Sequence, residues 1–388
     1  ELTATAGDAT SKTTTISNII FGDVYLCAGQ SNMRYGYEYP YWTDYHNDVD
    51  SGLLDNENIR IISNENNTVS NYWETDTVGW KQSNTQSIQD LKFSATASYF
   101  GKHLYGDNGH IPIGLISSAV GGASIETFLV NQVDNGNGAQ FGNSALYKRL
   151  IYPYTNWENS ETGKGIQLAG VIWYQGEDNW NRAHTYADMF TRLINGWRAE
   201  WKQGDFPFYY CQIAPYDYGI ITEKGKEVIN SAYLREAQAK VEHRVANSGM
   251  AVLLDAGMEK GIHPAKKQIA GERLALLALT KTYGVEGVNG ESPYYKSIEI
   301  KNDTVVVSFE RANMWISGKN CFESKNFQVA GEDKVFYPAK AWIERSKMLV
   351  KSDKVPHPVA VRYCFENYVE GDVYCDGLPL GSFRSDDW

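Results

Sequence analysis

The sequence predicts a doubly wound α/β domain followed by a small antiparallel β domain. Short apolar runs with β-propensity alternate with helical patterns from residue 24 to 283, the signature of a parallel sheet covered by helices. Polar or glycine-bearing turns follow several of these runs at once, at the strand ends where such sheets bind ligands. Past Gly290 the helical spacing stops and short alternating runs take over, as in antiparallel sheets.

Taken in order, residues 1–20 contain a β segment, Thr13–Ile16, expected to pack on the C-terminal β domain. Val24 to Ala28 is the first buried strand, and Gly29-Gln30-Ser31-Asn32-Met33 follows it directly. A long polar and aromatic stretch then runs to about residue 88, with Tyr35, Tyr37, Tyr39, Tyr41 and Trp42 near its start. Exposed aromatic rings stack on sugars, and buried ones pack loops onto a core. Phe93 to Tyr105 carries Phe93, Ala97, Phe100 and Leu104 at helical spacing. Ile111 to Ile116 is the second strand, and Gly121-Gly122 lies just beyond it. Asn131 to Asn143 is glycine-rich and reads as a flexible loop. Gln167 to Tyr174 is the third strand, ending in Gln175-Gly176-Glu177-Asp178-Asn179-Trp180. Ala183 to Trp201 is a helix whose aromatic stripe is core. Phe206 to Ile213 is the fourth strand, Val228 to Val245 a helix, and Met250 to Leu254 the fifth strand. Gly261-Ile262-His263-Pro264 then opens a helix running to about Tyr283, with Pro264 suited to a first turn. The expected division is therefore 1–20, a main domain at 21–290, and an antiparallel β domain at 291–388.

Composition narrows the function. The 388 residues, 42% of them hydrophobic, suffice for one large domain and a small one. A net charge of -11 without any Lys/Arg cluster argues against a nucleic-acid partner. No apolar run is long enough to span a membrane. Five cysteines are scattered with no CxxC, so no metal or redox motif stands out, and Cys364 and Cys375 are the one pair close in sequence.

Four stretches at the ends of separate strands would meet at one edge of a parallel sheet. Ser31 offers a nucleophilic hydroxyl, although a serine there also suits a helix cap. His263 offers a base that is neutral near neutral pH. Gly121 and Gly122 offer backbone N–H donors for an oxyanion, with the Ser31 N–H as another. Gln175 or Asn179 offers a side-chain amide. The Gly-x-Ser-x-Gly elbow of α/β-hydrolases is absent, because Met33 fills its last position.

Gly29-Gln30-Ser31-Asn32-Met33, Trp173-Tyr174-Gln175-Gly176-Glu177 and Ile262-His263-Pro264 resemble the sialate O-acetylesterase family of SGNH hydrolases. Leu234-Arg235-Glu236-Ala237-Gln238 and the tail Phe383 to Trp388 are similar to it too. The resemblance implies a three-layer α/β/α fold, here with a five-stranded parallel sheet, and an accessory β domain. It implies Ser31 as nucleophile, His263 as base, and an oxyanion site of Gly121 or Gly122 with Gln175, and Asn179 as a further donor. It implies removal of O-acetyl groups from sugars, without a cofactor.

One departure stands out. Members of the family often carry an aspartate two or three residues before the histidine, and this chain has Gly261 and Lys260 there. Glu259 or Asp255 is then expected to orient His263, or a backbone carbonyl does so in a Ser–His dyad. Asn32, Arg34, Glu177 and Trp180 are the expected substrate contacts, with Arg34 as the cation for a sialate carboxylate. The expected substrate is 9-O-acetylated sialic acid, with acetylated xylan or xyloglucan as the alternative. A carbohydrate-binding module without chemistry is the alternative of another class. By the same resemblance, a secreted or periplasmic protein with its leader removed is expected.

Overall fold

The computed structural model describes residues 2–5, 13–16, 18–63, 79–131, 142–155, 166–219, 221–223, 226–312, 317–318, 323–344 and 347–388. The predicted loop at 131–143 falls mostly outside them, as does Cys321.

The central sheet has seven strands rather than five. In spatial order they are Ser248–Ala251, Phe208–Cys211, Gly170–Tyr174, Asp23–Gly29, Ile113–Ala119, Asn56–Ser63 and Lys81–Ser83. The first six run parallel and the last, an edge strand, is antiparallel. All five predicted strands are present. The additional parallel strand lies within the stretch read as a long loop. Ile59 to Ile62 already reads as a strand-like piece of that stretch; after the polar opening Asn56-Glu57-Asn58, Ile59, Ile61 and Ser63 alternate inward along one buried face.

Each central strand feeds two cores. Along Asp23–Gly29, Tyr25 and Cys27 face one way, with Phe100 and Leu104 of helix Ala95–Asp107 and Leu274 and Leu277 of helix Lys267–Ala278. Leu26 and Ala28 face the other, with Phe190 and Trp197 of helix Ala183–Trp201 and Leu234 and Val241 of helix Ser231–Arg244. Three α/β/α layers result. Both faces are apolar because both are covered, so the strands read as continuous hydrophobic runs.

A second seven-stranded sheet is wholly antiparallel, in the order Tyr294–Lys301, Thr304–Glu310, Lys347–Lys351, Phe336–Glu344, Glu323–Ala330, Ala360–Tyr363 and Phe383–Arg384. Its Val305, Phe327, Val329 and Val350 join the core of the Ala183–Trp201 and Ser231–Arg244 layer. Among the described residues, Leu2–Thr5 and Thr13–Ile16 pair with each other as a two-stranded sheet. Cys364 and Cys375 form no disulfide with each other.

Candidate active site

Ser31 stands two residues beyond its strand, as the first residue of the short helix Ser31–Arg34. Gly29 makes this sharp exit possible: it has φ +141°, and a Cβ there would come within 2.2 Å of the Tyr174 carbonyl oxygen. The Gln30 carbonyl accepts from Met33 and Arg34 N–H. The N–H groups of Ser31 and Asn32 begin the helix and have no place in its ladder. Next to them, Val120 to Ala123 forms a turn closed by Ala123 N–H to Val120 O, with Gly122 at φ +69° in the left-handed position. A Cβ on Gly121 would lie 3.7 Å from Ser31 Cβ and 3.3 Å from the Tyr35 hydroxyl. The glycine loop thus passes directly beside the nucleophile candidate.

His263 meets Ser31 across 232 residues of sequence: Nε2 lies 2.9 Å from Ser31 Oγ. The other ring nitrogen, Nδ1, lies 3.1 Å from the Tyr39 hydroxyl. If Ser31 is to donate to Nε2, that nitrogen must hold its lone pair. The neutral ring then carries its proton on Nδ1 and donates it to the Tyr39 oxygen. The rings of Tyr35 and Tyr39 stand edge-on to the imidazole, with centroids 5.0 and 5.3 Å away. Trp42 Nε1 donates to the His263 carbonyl at 3.2 Å. Burial, and secondarily the nearby Lys267 cation, push the His263 imidazole down to about 4. It is therefore neutral across the physiological range and ready to accept a proton.

This geometry corrects the expected orienting group. Asp255 is held by Arg273 in a two-pronged ion pair at 2.6 and 2.7 Å, and Tyr374 adds a third contact. Glu259 is exposed, and its backbone carbonyl accepts from Asp217 N–H. Neither acid reaches His263, and the partner of Nδ1 is a hydroxyl rather than a carbonyl. The aromatic run, open to sugar stacking and to core packing alike, divides between inward and exposed rings. Tyr35, Tyr39 and Trp42 pack around the imidazole, while Tyr41 is exposed.

The amide donors also change places. Gln175 is fully buried and has both side-chain hydrogens engaged, to Ala123 O at 3.1 Å and Asn179 Oδ1 at 2.7 Å. Its Oε1 accepts from Tyr186 at 2.8 Å. Gln175 has no hydrogen left for an oxyanion and instead braces Asn179. Asn179 Oδ1 also accepts from Ile125 N–H, and its Nδ2 donates one hydrogen to Glu126 at 3.0 Å. The second hydrogen of that nitrogen makes Asn179 the amide with a donor to spare. Gln238 braces the same corner, donating to Gln175 O and accepting from Ile213 N–H.

Two of the expected substrate contacts are interior. Asn32 is 1% exposed and Glu177 3% exposed. Asn32 Nδ2 donates to Glu177 Oε1 and to the Ile262 carbonyl, and its Oδ1 accepts from Lys267 Nζ at 2.5 Å. Burial raises the Glu177 carboxyl above its usual range, opposed by Asn32 and Lys267. Burial lowers the Lys267 ammonium to about 7, opposed by Glu177. Arg34 is paired with Glu38 at 3.0 Å and its guanidinium lies over the Tyr35 ring. Trp180 is half-buried and stacked on Tyr218, with centroids 5.2 Å apart.

Sequence reasoning missed Tyr39 as the partner of His263 and Lys267 as the cation beneath the pair. Lys267 carried one usable signal: it stands four residues after the histidine, at the start of the helix that follows it. Tyr39 carried none beyond membership of the aromatic run.

Comparison with known proteins points the same way. The sequence profile described as "Carbohydrate esterase, sialic acid-specific acetylesterase" matches residues 21–271. Sialate O-acetylesterase of Rattus norvegicus is 26% identical over 367 residues, covering 78% of this chain and 65% of that protein. The Homo sapiens protein of the same name is 28% identical over 318 residues, covering 74% and 58%. The chain thus spans just under two thirds, or less, of these relatives' length. The crystal structure of a carbohydrate acetylesterase from Xanthomonas citri superposes with a TM-score of 0.81 at 30% identity, covering 95% of this chain and 81% of that one.

Proposed function

This chain belongs to the family of carbohydrate esterases described as sialic acid-specific acetylesterases, and from that membership we propose that it is a serine esterase removing O-acetyl groups from carbohydrate. The observation that carries the reading is the 2.9 Å approach of His263 Nε2 to Ser31 Oγ, beside the Gly121-Gly122 turn. We read the parallel domain, 21–290, as an SGNH hydrolase and 291–388 as its accessory β domain.

The chemistry is two-step acyl transfer. His263 Nε2 takes the Ser31 proton as Oγ attacks the acetyl carbonyl. Negative charge develops on the carbonyl oxygen, toward the N–H groups of Ser31 and of Gly121 or Gly122 and toward Asn179 Nδ2. Each well-aimed donor of this kind contributes roughly 2.7–4 kcal/mol. The imidazolium passes its proton to the departing sugar oxygen, leaving an acetyl-serine. Water, deprotonated by the same nitrogen, then attacks the acetyl-serine; the bond to Ser31 Oγ breaks, acetate leaves, and the imidazolium returns its proton to Oγ. Tyr39 keeps the ring in the required tautomer. As a neutral acceptor it stabilises the imidazolium less than a carboxylate would.

The first substrate to test is 9-O-acetylated sialate, since the relatives are named for O-acetylated sialate. The Arg34–Glu38 ion pair favours a second reading, a neutral acetylated glycan such as xylan or xyloglucan, because the arginine nearest the nucleophile in sequence is already neutralised. Retention of the Ser31–His263 hydrogen bond speaks against a binding module without chemistry. Among the described residues no helix is long and apolar enough to cross a membrane, and export is part of the proposal.

Acetate release from 4-nitrophenyl acetate by the wild type and Ser31→Ala tests the reading. A loss of about 10⁴-fold or more in kcat is expected, and activity that survives the substitution refutes it. Parallel assays on acetylated sialate and acetylated xylan then rank the substrates.

A further inference from the structure

Beneath the Ser31–His263 pair lies a buried, charged arrangement that the proposed chemistry does not use. Asn32, the residue after the nucleophile, is its centre. Its Nδ2 reaches the carbonyl of Ile262, the residue before the base, at 3.0 Å. Its Oδ1 takes a hydrogen bond from Lys267, four residues after the base. The same Nδ2 also donates to Glu177, from the loop beyond the neighbouring strand. The side chain of Asn32 therefore holds both flanks of the base from the segment that carries the nucleophile.

Lys267 fixes which way that amide points. It is 1% exposed, and its ammonium lies over the rings of Trp42 at 4.8 Å and Tyr174 at 5.3 Å. An amide oxygen aimed at an ammonium leaves the amide hydrogens for Glu177 and Ile262, and no other orientation satisfies all three partners. A buried lysine is costly unless it is paired. Its retention directly under the site calls for a reason.

We infer that Lys267 is a positioning residue for the esterase centre, acting through Asn32 to hold the nucleophile segment and the base loop in register. The inference rests on the serine-esterase reading of the site. It has an electrostatic consequence as well. The groups facing His263 are Ser31, Tyr35 and Tyr39 from the nucleophile side and Lys267 from the helix that follows it. Those facing Lys267 are Asn32, Glu177, Cys211 and the Trp42 and Tyr174 rings. Lys267 is the one cation among these groups, and it adds to burial in disfavouring the imidazolium.

The test uses the full chain with Lys267→Met and Lys267→Gln, and two readouts. The first is kcat and KM on 4-nitrophenyl acetate. The second is the midpoint of His263 by NMR of labelled histidine, assigned with His263→Gln, which needs no activity. Lys267→Met removes both the donor and the charge. It should lower kcat on the order of 10–100-fold with KM changed by less than about threefold, as expected for loss of a buried charged hydrogen bond. It should also move the His263 midpoint upward, toward the ordinary value of about 6.5. Lys267→Gln keeps a donor without charge, so the midpoint should rise while kcat stays closer to wild type. If Lys267→Met does not fold, the Gln variant carries the test. An unmoved midpoint in the folded variants, or a kcat unchanged by Lys267→Met, overturns the inference. Absence of Ser31-dependent hydrolysis in the wild type would instead strike the esterase reading, and the NMR titration would still decide whether Lys267 acts on His263.

Discussion

The chain builds two sheets of seven strands each, and the proposed chemistry gathers at only one of them. In the parallel sheet, Gly170–Tyr174 and Phe208–Cys211 are buried at every residue. In the antiparallel sheet, Tyr294–Lys301 is exposed or half-exposed throughout. Parallel pairing needs long crossovers, so strands far apart in sequence end side by side at one edge. Ser31 meets Gly121 and His263 there, and Gln175 to Asn179 follow the neighbouring strand Gly170–Tyr174. Antiparallel hairpins join sequence neighbours and create no such edge. The conspicuous residues of the C-terminal tail do structural work instead. Arg362 pairs with Asp386, and Arg384 pairs with Glu236 of helix Ser231–Arg244. Arg235, in the same helix, is fully buried and donates to Ser231, Asn367, Cys364, Glu366 and Ser382, four of these five lying at or beyond residue 364. A motif that resembles a catalytic family can thus hold a fold together rather than react.

The largest expected effect after loss of the nucleophile comes from Asn179→Ala. If Asn179 supplies the amide donor, kcat should fall about 10²–10³-fold, the usual cost of an oxyanion donor, with KM little altered. Loss of activity at Gln175 but not at Asn179 would reverse the assignment. Next comes the base. Below pH about 4 the His263 imidazole is protonated and cannot accept the serine proton. The acid limb of kcat/KM should therefore fall near 4, with activity flat above it, rather than near the ordinary histidine value. Tyr39→Phe removes one neutral hydrogen bond and should cost about tenfold at most. A much larger loss would mean that Tyr39 does more than fix the tautomer.

What was legible in the sequence follows the same division. Strand-to-turn transitions are local, so Ser31 and the Gly121-Gly122 turn could be placed at strand ends from residue order alone. His263 follows from the same logic and from the family resemblance. Partnerships formed across the fold were not legible. Tyr39 and His263 are 224 residues apart, and nothing in an aromatic run says which ring turns inward. Amide donors were readable at Gln175 and Asn179, but the proposed choice between them depends on Ala123 O and Asn179 Oδ1, which take both of the Gln175 amide hydrogens. Lys267 reads as an ordinary surface lysine at a helix start. Its burial comes from the Trp42 and Tyr174 rings and from Asn32, all brought from other segments. The missing acid before His263 was correctly seen as missing, and only the fold supplied the hydroxyl that stands in its place.

The comparison of the sheets is sharpened by Arg235→Met. Five acceptors around this buried guanidinium would lose their donor, and burial already depresses it to about 10. A destabilisation of about 3–5 kcal/mol is expected, the range for breaking a buried charged network. Thermal denaturation should show a lower Tm while kcat per folded molecule stays unchanged. A selective loss of kcat with Tm intact would mean that the C-terminal sheet takes part in the chemistry, which would break the division drawn above.

The smallest effect is expected at Arg34, and it bears on the substrate. Its side chain is about one quarter exposed and is ion-paired with Glu38, so the two charges largely cancel where a sialate carboxylate would need a cation. Exposed i,i+4 pairs of this kind contribute roughly 0.3–0.5 kcal/mol, too little for Arg34→Ala to disturb the fold. On a neutral acetyl ester the variant should match the wild type within about twofold, the scale that such an energy allows. On 9-O-acetylated sialate two results are possible. An unchanged KM means that Arg34 does not meet the carboxylate, in line with a neutral glycan substrate. A KM raised tenfold or more, on sialate alone, means that the substrate displaces Glu38 and that the family's name-giving sugar is recognised through this arginine. Glu38→Gln separates the cases further: freeing Arg34 should improve sialate binding only if the carboxylate and Glu38 compete for the same guanidinium.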